Sequence, residues 1–141
     1  HKVIVWCVFK ENYKMITRRL EKMGVEYRMI TGDQKLDKDE QMNDFRTDPK
    51  VRVMVANQSA GGVGVNLIEA SYAIYYSKDF ALKHDLQSEA RNHRGGSEIH
   101  KKITRIDIVS PGTIDEIIME SLAGKQQVAE KVLDKQFLEA L

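Results

Sequence analysis

The sequence predicts one α/β domain, a parallel sheet flanked by helices on both faces. Three observations predict it. Strand-like and helix-like segments alternate along all 141 residues, the pattern of the βα units that build a parallel sheet. The first strand, "VIVWCVF", carries no polar residue on either face, as a strand covered from both sides requires. No internal repeat, low-complexity segment or linker interrupts the alternation, and the length is ordinary for a single domain.

Each element has a local reason. Over 11–23, "ENYKMITRRLEKM" sets Tyr13, Ile16, Leu20 and Met23 at helical spacing, and Gly24 stops the helix. "VEYRMI" is the second strand. "LDKDEQMNDFR" is a short helix capped by Asp37, with Pro49 beyond its end. "VRVMVA" is the third strand and leads into the glycine-rich "NQSAGGVGVNL". "YAIYYS" is the fourth strand, followed by a helix, "ALKHDLQSEARNHR", ended by Gly95 and Gly96. "ITRIDIV" is the fifth strand. Thr113 and Glu116 have capping-box spacing and open "TIDEIIMESL". A last amphipathic segment over 125–141 carries Val128, Val132, Leu133 and Phe137. Residues 114–141 are thus expected as the closing C-terminal helices of a domain spanning 1–141.

Bulk properties exclude several classes. A chain this long buries about 68% of its unfolded surface and needs no disulfide staple. Cys7 is the only cysteine and sits inside an apolar run, which marks it as core filler rather than a nucleophile. The longest apolar run, Val3 to Phe9, is too short to cross a membrane. The formal charge of +1 balances 22 basic against 21 acidic residues. It hides an asymmetry: Lys78 to Arg105 holds seven Lys/Arg against four acids, net +3, leaving −2 elsewhere. Such a basic stretch suits contact with a polyanion. His84, His93 and His100 share it, but spacings of 9 and 7 do not resemble a zinc site, so no metal centre is expected. Trp6, Tyr72, Tyr75 and Tyr76 lie on strands and are expected in the core rather than stacked on bases.

Ligands of parallel sheets bind at loops leaving the carboxyl ends of strands, and the glycine-rich loop leaves the third strand there. It is not a Walker A loop, because Gly64 is followed by Val65, Asn66 and Leu67 with no lysine. The dinucleotide fingerprint also fails, since Leu67 stands where a third glycine is needed. In the helix after the fourth strand, Gln87, Arg91 and Arg94 fall at i, i+4 and i+7 and share one face. They run beside an expected buried seam of Leu82, Leu86 and Ala90. Two guanidinium forks in one row suit a shared anion.

"AGGVGVNL" followed by "QSEARNHRGG" resembles motifs V and VI of superfamily-two helicases, the Swi/Snf-type DNA translocases in particular. "KVIVWCVF" resembles the motif IV strand, and "GTIDE" with its following helix resembles the close of the second motor lobe. Together the likeness spans residues 2–134. The resemblance implies a RecA-like lobe, the second of two, with ATP bound in the cleft between them. It implies Arg94 as the arginine finger, assisted by Arg91. It places Gln87, Gly64 and Asn66 at the ATP and interlobe face, and Thr31, Gly32, Gln58 and Ser59 against the nucleic-acid backbone. ATP and Mg2+ would be held mainly by the first lobe. The partners implied are that lobe and DNA, double-stranded, with no membrane.

Two departures qualify the resemblance. His93-Arg94-Gly95-Gly96-Ser97 replaces the family's frequent His-Arg-Ile-Gly-Gln, and Asn57-Gln58-Ser59 replaces Ser-Thr-Arg. The arginines keep the ATPase expectation, while the departures weigh against nucleosome remodelling. No long insertion interrupts the lobe, which suggests a compact bacterial or viral motor working in the cytoplasm, or in the nucleus if eukaryotic. The competing reading is a lobe that grips nucleic acid or a partner without hydrolysis.

Overall fold

Backbone and side chains are described by a computed structural model for residues 1–32, 37–57, 69–78, 86–88 and 103–130, and the backbone alone for 131–140. Five strands form one sheet: β1 (Val3–Cys7), β2 (Glu26–Ile30), β3 (Val51–Asn57), β4 (Tyr72–Tyr75) and β5 (Thr104–Asp107). Their order is β2-β3-β1-β4-β5, and every pairing is parallel. This is the RecA-like α/β arrangement expected from the alternation.

The central strand shows why it is apolar throughout. Ile4 and Trp6 pack on one face with Phe45, Met54 and Tyr75, beside Met42 of α2 (Lys38–Thr47). Val5 and Cys7 pack on the other with Tyr13, Val53 and Val55, beneath α1 (Lys10–Lys22). Alternation of side chains along a strand distributes β1 between two cores. Cys7 is fully buried and its thiol is pushed up to about 12 by burial, as an inert filler should be. Trp6 and Tyr75 are buried and lie 6.4 Å apart at an interplanar angle of 27°.

Helix ends follow their local signals. Gly24 takes a φ of +69° after α1. The Val25 N–H bonds the Leu20 carbonyl at 3.0 Å and the Gly24 N–H bonds Glu21 at 3.1 Å, a Schellman closure that needs a residue free to enter the left-handed region. Met23, expected on the buried stripe, is instead 60% exposed, because it occupies the C-cap where the chain turns away. Asp37 caps α2, its carboxylate accepting from the Asp39 N–H at 2.9 Å. The far end of α2 is held by Lys2, whose ammonium donates to the carbonyls of Phe45, Asp48 (2.8 Å) and Val51 (2.9 Å). It also lies 5.0 Å from the centre of the Phe45 ring. A cation suits a helix C-terminus and its orphan carbonyls.

The closing region departs from expectation. One helix, α3 (Ile114–Ala140), replaces the two helices anticipated, running through Gly124 without a break. Gly124 has no positive φ, and a Cβ there would meet nothing within 4 Å. A lone glycine weakens a helix by about 1 kcal/mol but ends it only when it turns left-handed. The start of α3 is capped by Thr113, whose Oγ1 accepts from the Asp115 N–H at 3.3 Å. The return bond comes from Asp115 rather than Glu116, its carboxylate accepting from the Ser110 N–H at 3.1 Å.

At the sheet edge, β2 is blunted by side chains. Gln41 Oε1 accepts from the Met29 N–H at 3.1 Å, and Arg28 donates to the Tyr27 carbonyl at 2.8 Å. Arg28 is held by Asp44 at 2.9 Å. Filled edge groups resist pairing with another chain.

Replacing Lys2 by Met keeps the stem and removes the donors from three carbonyls. Lys2→Met is expected to cost about 2 kcal/mol and to lower Tm by roughly 5–8 °C, measured by thermal unfolding.

Candidate functional site

Of the expected site residues, Thr31, Gly32 and Gln87 fall among the described residues, on opposite sides of β1. Thr31, half-buried, and Gly32, exposed, follow the last residue of β2. The Ile30–Ala56 register brings them beside Asn57, the end of β3, from which Gln58 and Ser59 continue. Gln87 lies beyond the other side of β1, after β4, in a helical turn at 86–88. Gln58, Ser59, Gly64, Asn66, Arg91 and Arg94 lie outside the described residues, as do His84, His93 and His100.

The helical turn at 86–88 corrects one expectation. Leu86, assigned to the buried seam, is 44% exposed, and Ser88 is completely buried. The reason is a partner supplied from another element: Ser88 Oγ and the Tyr75 hydroxyl lie 3.0 Å apart in the interior. A satisfied hydroxyl tolerates burial where an unsatisfied one does not. Gln87, the neighbour of Ser88, is exposed and faces outward from the anchor.

Beneath Tyr75 sits an ionic cluster of Asp107 with Lys78 and Arg105, two cations of the basic stretch expected to suit a polyanion. Arg105 lays its guanidinium 4.0 Å from the centre of the Tyr75 ring, and the Lys78 ammonium lies 4.9 Å from it. Both cations bind Asp107: Arg105 through its Nε and Nη2 at 3.2 Å each, and Lys78 through its Nζ to Asp107 Oδ1. Lys78 also donates to Met119 Sδ at 3.4 Å, tying α3 to the cluster. Of the seven cations in the basic stretch, Lys78 is buried and Arg105 half-buried, and both pair with an acid just outside it. The signal was legible in principle: Arg105 and Asp107 are two apart on a strand and share a face.

At the end of β1, Ser77 closes the crevice against β4. Its hydroxyl accepts from the Val8 N–H at 2.8 Å and donates to Asn12 at 2.7 Å. The turn that opens α1 is thereby fixed to the strand that leads to Gln87. Among the described residues, no three His, Cys, Asp or Glu side chains converge to hold a metal ion.

Comparison with known proteins agrees with this geometry. Residues 1–96 match the family described as helicase conserved C-terminal domain. Lymphoid-specific helicase of Homo sapiens is 33% identical over 99 residues, 70% of this chain and 12% of that protein. The SWI/SNF-related matrix-associated actin-dependent regulator of chromatin subfamily A containing DEAD/H box 1 homolog of Caenorhabditis elegans is 34% identical over 131 residues, 92% of this chain and 13% of its own length. Chromatin-remodeling ATPase INO80 of Gibberella zeae is 29% identical over 134 residues, covering 94% and 7%. In structure, the C-terminal part of the Fun30 ATPase domain superposes with a TM-score of 0.78 at 22% identity, covering 86% of this chain and 39% of that one.

The fold is thus a RecA-like α/β lobe. The chain belongs to the helicase conserved C-terminal domain family, as the C-terminal lobe of a superfamily-two helicase of the Swi/Snf type. It spans only 7% to 13% of the length of these curated relatives. They come from a human, a nematode and a fungus and lend no support to a bacterial or viral origin.

The Asp107 cluster carries a pH signature. Burial pushes this carboxyl up, but the bonds from Arg105 and Lys78 outweigh it and hold the group below the usual carboxylate range. A depressed folded pKa contributes stability that is full above the unfolded value, about 3.9, and is lost as pH falls through the folded value. Asp107→Asn is expected to remove about 2–3 kcal/mol at pH 7, because Lys78, 8% exposed, loses its carboxylate. Asp107 itself is 24% exposed, which keeps the cost below that of a fully buried pair. Denaturant unfolding of both proteins from pH 7 to pH 2 checks this: the difference between them is expected to shrink towards pH 2.

Proposed function

We propose that this chain is the second motor lobe of an ATP-dependent DNA translocase or helicase, and that the parent protein hydrolyses ATP when it engages DNA. The observation that carries the reading is the family match through residue 96, which contains the whole Gln87, Arg91 and Arg94 row. Arg94 serves as the arginine finger and Arg91 assists it. Gln87, exposed beside a buried anchor, couples nucleotide to lobe closure. Gly64 and Asn66 form the interlobe face, and Thr31, Gly32, Gln58 and Ser59 meet the DNA backbone. DNA, double-stranded, is the partner, together with the first lobe.

The chemistry suits a divided site. Transfer of a phosphoryl group to water relies on positioning and on stabilising charge spread over the γ-phosphoryl oxygens. ATP and Mg2+ supply that reaction when the first lobe holds them. This lobe contributes the cations of Arg91 and Arg94 and the amide of Gln87. Contacts to backbone phosphates position the motor without reading sequence. The described end of β2 fits such a role: Gly32 has no atom within 4 Å of where a Cβ would stand, so a backbone can approach it closely.

The test uses the parent protein. Wild type is expected to show DNA-stimulated ATPase, and Arg94→Ala to lower it by about 10³-fold or more with an unchanged circular dichroism spectrum. Near-wild-type turnover in that variant would remove the arginine-finger assignment. Residues 1–141 alone are expected to show no turnover, and to bind duplex DNA weakly with an affinity that falls steeply with salt. DNA binding with no stimulated hydrolysis by the parent would instead favour a non-hydrolytic gripping lobe.

A further inference from the structure

We infer that Tyr75 and Ser88 are a positioning pair for the motor reaction, setting the rotation of the helical segment that carries Gln87. The inference rests on the motor reading above and adds to it two residues that make no expected contact with nucleotide or DNA.

Tyr75 is the last residue of β4 and 1% exposed. Its ring is fixed from several directions. Trp6 stacks at 6.4 Å, Arg105 lies at 4.0 Å and Lys78 at 4.9 Å from the ring centre. Asp107 in turn binds both cations, and the Ile108 N–H bonds the Tyr75 carbonyl at 3.0 Å. A ring so held cannot swing without breaking an aromatic stack and displacing two charged groups. Its hydroxyl is therefore a fixed point on the rigid side of the sheet.

That point meets Ser88, at 0% exposure, and not an apolar residue of the expected seam. An apolar contact at this place would be non-directional and would allow the segment to roll. A hydrogen bond between two buried hydroxyls is directional, and its loss in the interior is costly. Successive helical residues are about 100° apart around the axis. Fixing Ser88 inward therefore turns Gln87 to the flank, where it is exposed. Displacement of a catalytic group by 1 Å can cost about 10²-fold in rate, so a small roll matters to the reaction far more than to stability.

The Lys78 contact with Met119 brings α3 to the same anchor. The helix that closes the lobe thus braces the ring that aims Gln87.

The experiment measures DNA-stimulated ATPase of the parent protein with Tyr75→Phe, Ser88→Ala and the double variant. Tyr75→Phe keeps the ring, the stack and both cation contacts and removes only the hydroxyl. The expected result is a kcat lowered about 10- to 100-fold, with KM for ATP and affinity for DNA within twofold of wild type and Tm within a few degrees. The double variant is expected to be no slower than either single one, since both remove the same bond. Either variant that keeps its fold decides the matter. Wild-type kcat in both, with Arg94→Ala inactive, would overturn the positioning role and leave the motor reading standing. A raised KM at unchanged kcat would overturn it as well. Absence of DNA-stimulated hydrolysis in the wild-type parent would bring down the motor reading and this inference with it.

Discussion

A strand buried on both faces can carry no functional side chain, and that constraint organises this lobe. Ile4 and Trp6 belong to one core and Val5 and Cys7 to the other, so β1 spends every residue on packing. Its backbone bonds are shared with β3 and β4. Polar chemistry is displaced to the carboxyl ends of the strands, where chain leaves the sheet. β1 also divides those ends, since Thr31 and Gly32 follow β2 on one side and Gln87 follows β4 on the other. Thr31 and Gly32, expected to touch DNA, and Gln87, expected to touch nucleotide, thus leave one sheet on opposite sides of β1.

The second organising element is Asp107. Buried cations are costly unless paired and hydrogen-bonded, yet Lys78 and Arg105 both approach the interior near Tyr75. A single carboxylate accepts from both. The arrangement joins β4, β5 and α3 at one place, because Lys78 follows β4, Arg105 and Asp107 lie on β5, and Met119 lies on α3. Hydrophobic contacts between these elements would hold them as firmly but would not fix the Tyr75 hydroxyl in a direction.

What could be read from the sequence was local. Gly24 and Asp37 act within a few residues of themselves, and both end or start their helices as expected. The apolar run of β1 is its own evidence of two-sided burial. Misreadings arose where a distant residue decided the outcome. Ser88 is inside because Tyr75, thirteen positions earlier, offers it a hydroxyl, and Leu86 is released to the surface. Lys78 looked like a surface charge until Asp107 came beside it. Gly124 looked like a stop, but its backbone stays helical and Ile118 and Leu122 anchor the preceding turns. Of the Gln-Arg-Arg row expected from spacing, Gln87 is exposed, and Arg91 and Arg94 lie outside the described residues.

A glycine-rich loop without a lysine is uninformative when judged as a phosphate cradle in its own right. Its meaning changes when the lobe is half of a divided site. A lone domain that binds ATP must bring lysine, hydroxyl and metal to one loop. A lobe that only responds to ATP needs none of these; it needs cations set at a fixed angle on a body that can approach and withdraw. Binding energy is then useful only in the closed arrangement, where charge has spread onto the γ-phosphoryl oxygens. On this reading rigidity behind the arginine row matters as much as the arginines, because a cation that could roll would follow the nucleotide instead of constraining it. Tyr75, stacked on Trp6 and flanked by two cations bound to Asp107, holds Ser88, the neighbour of Gln87, from the sheet.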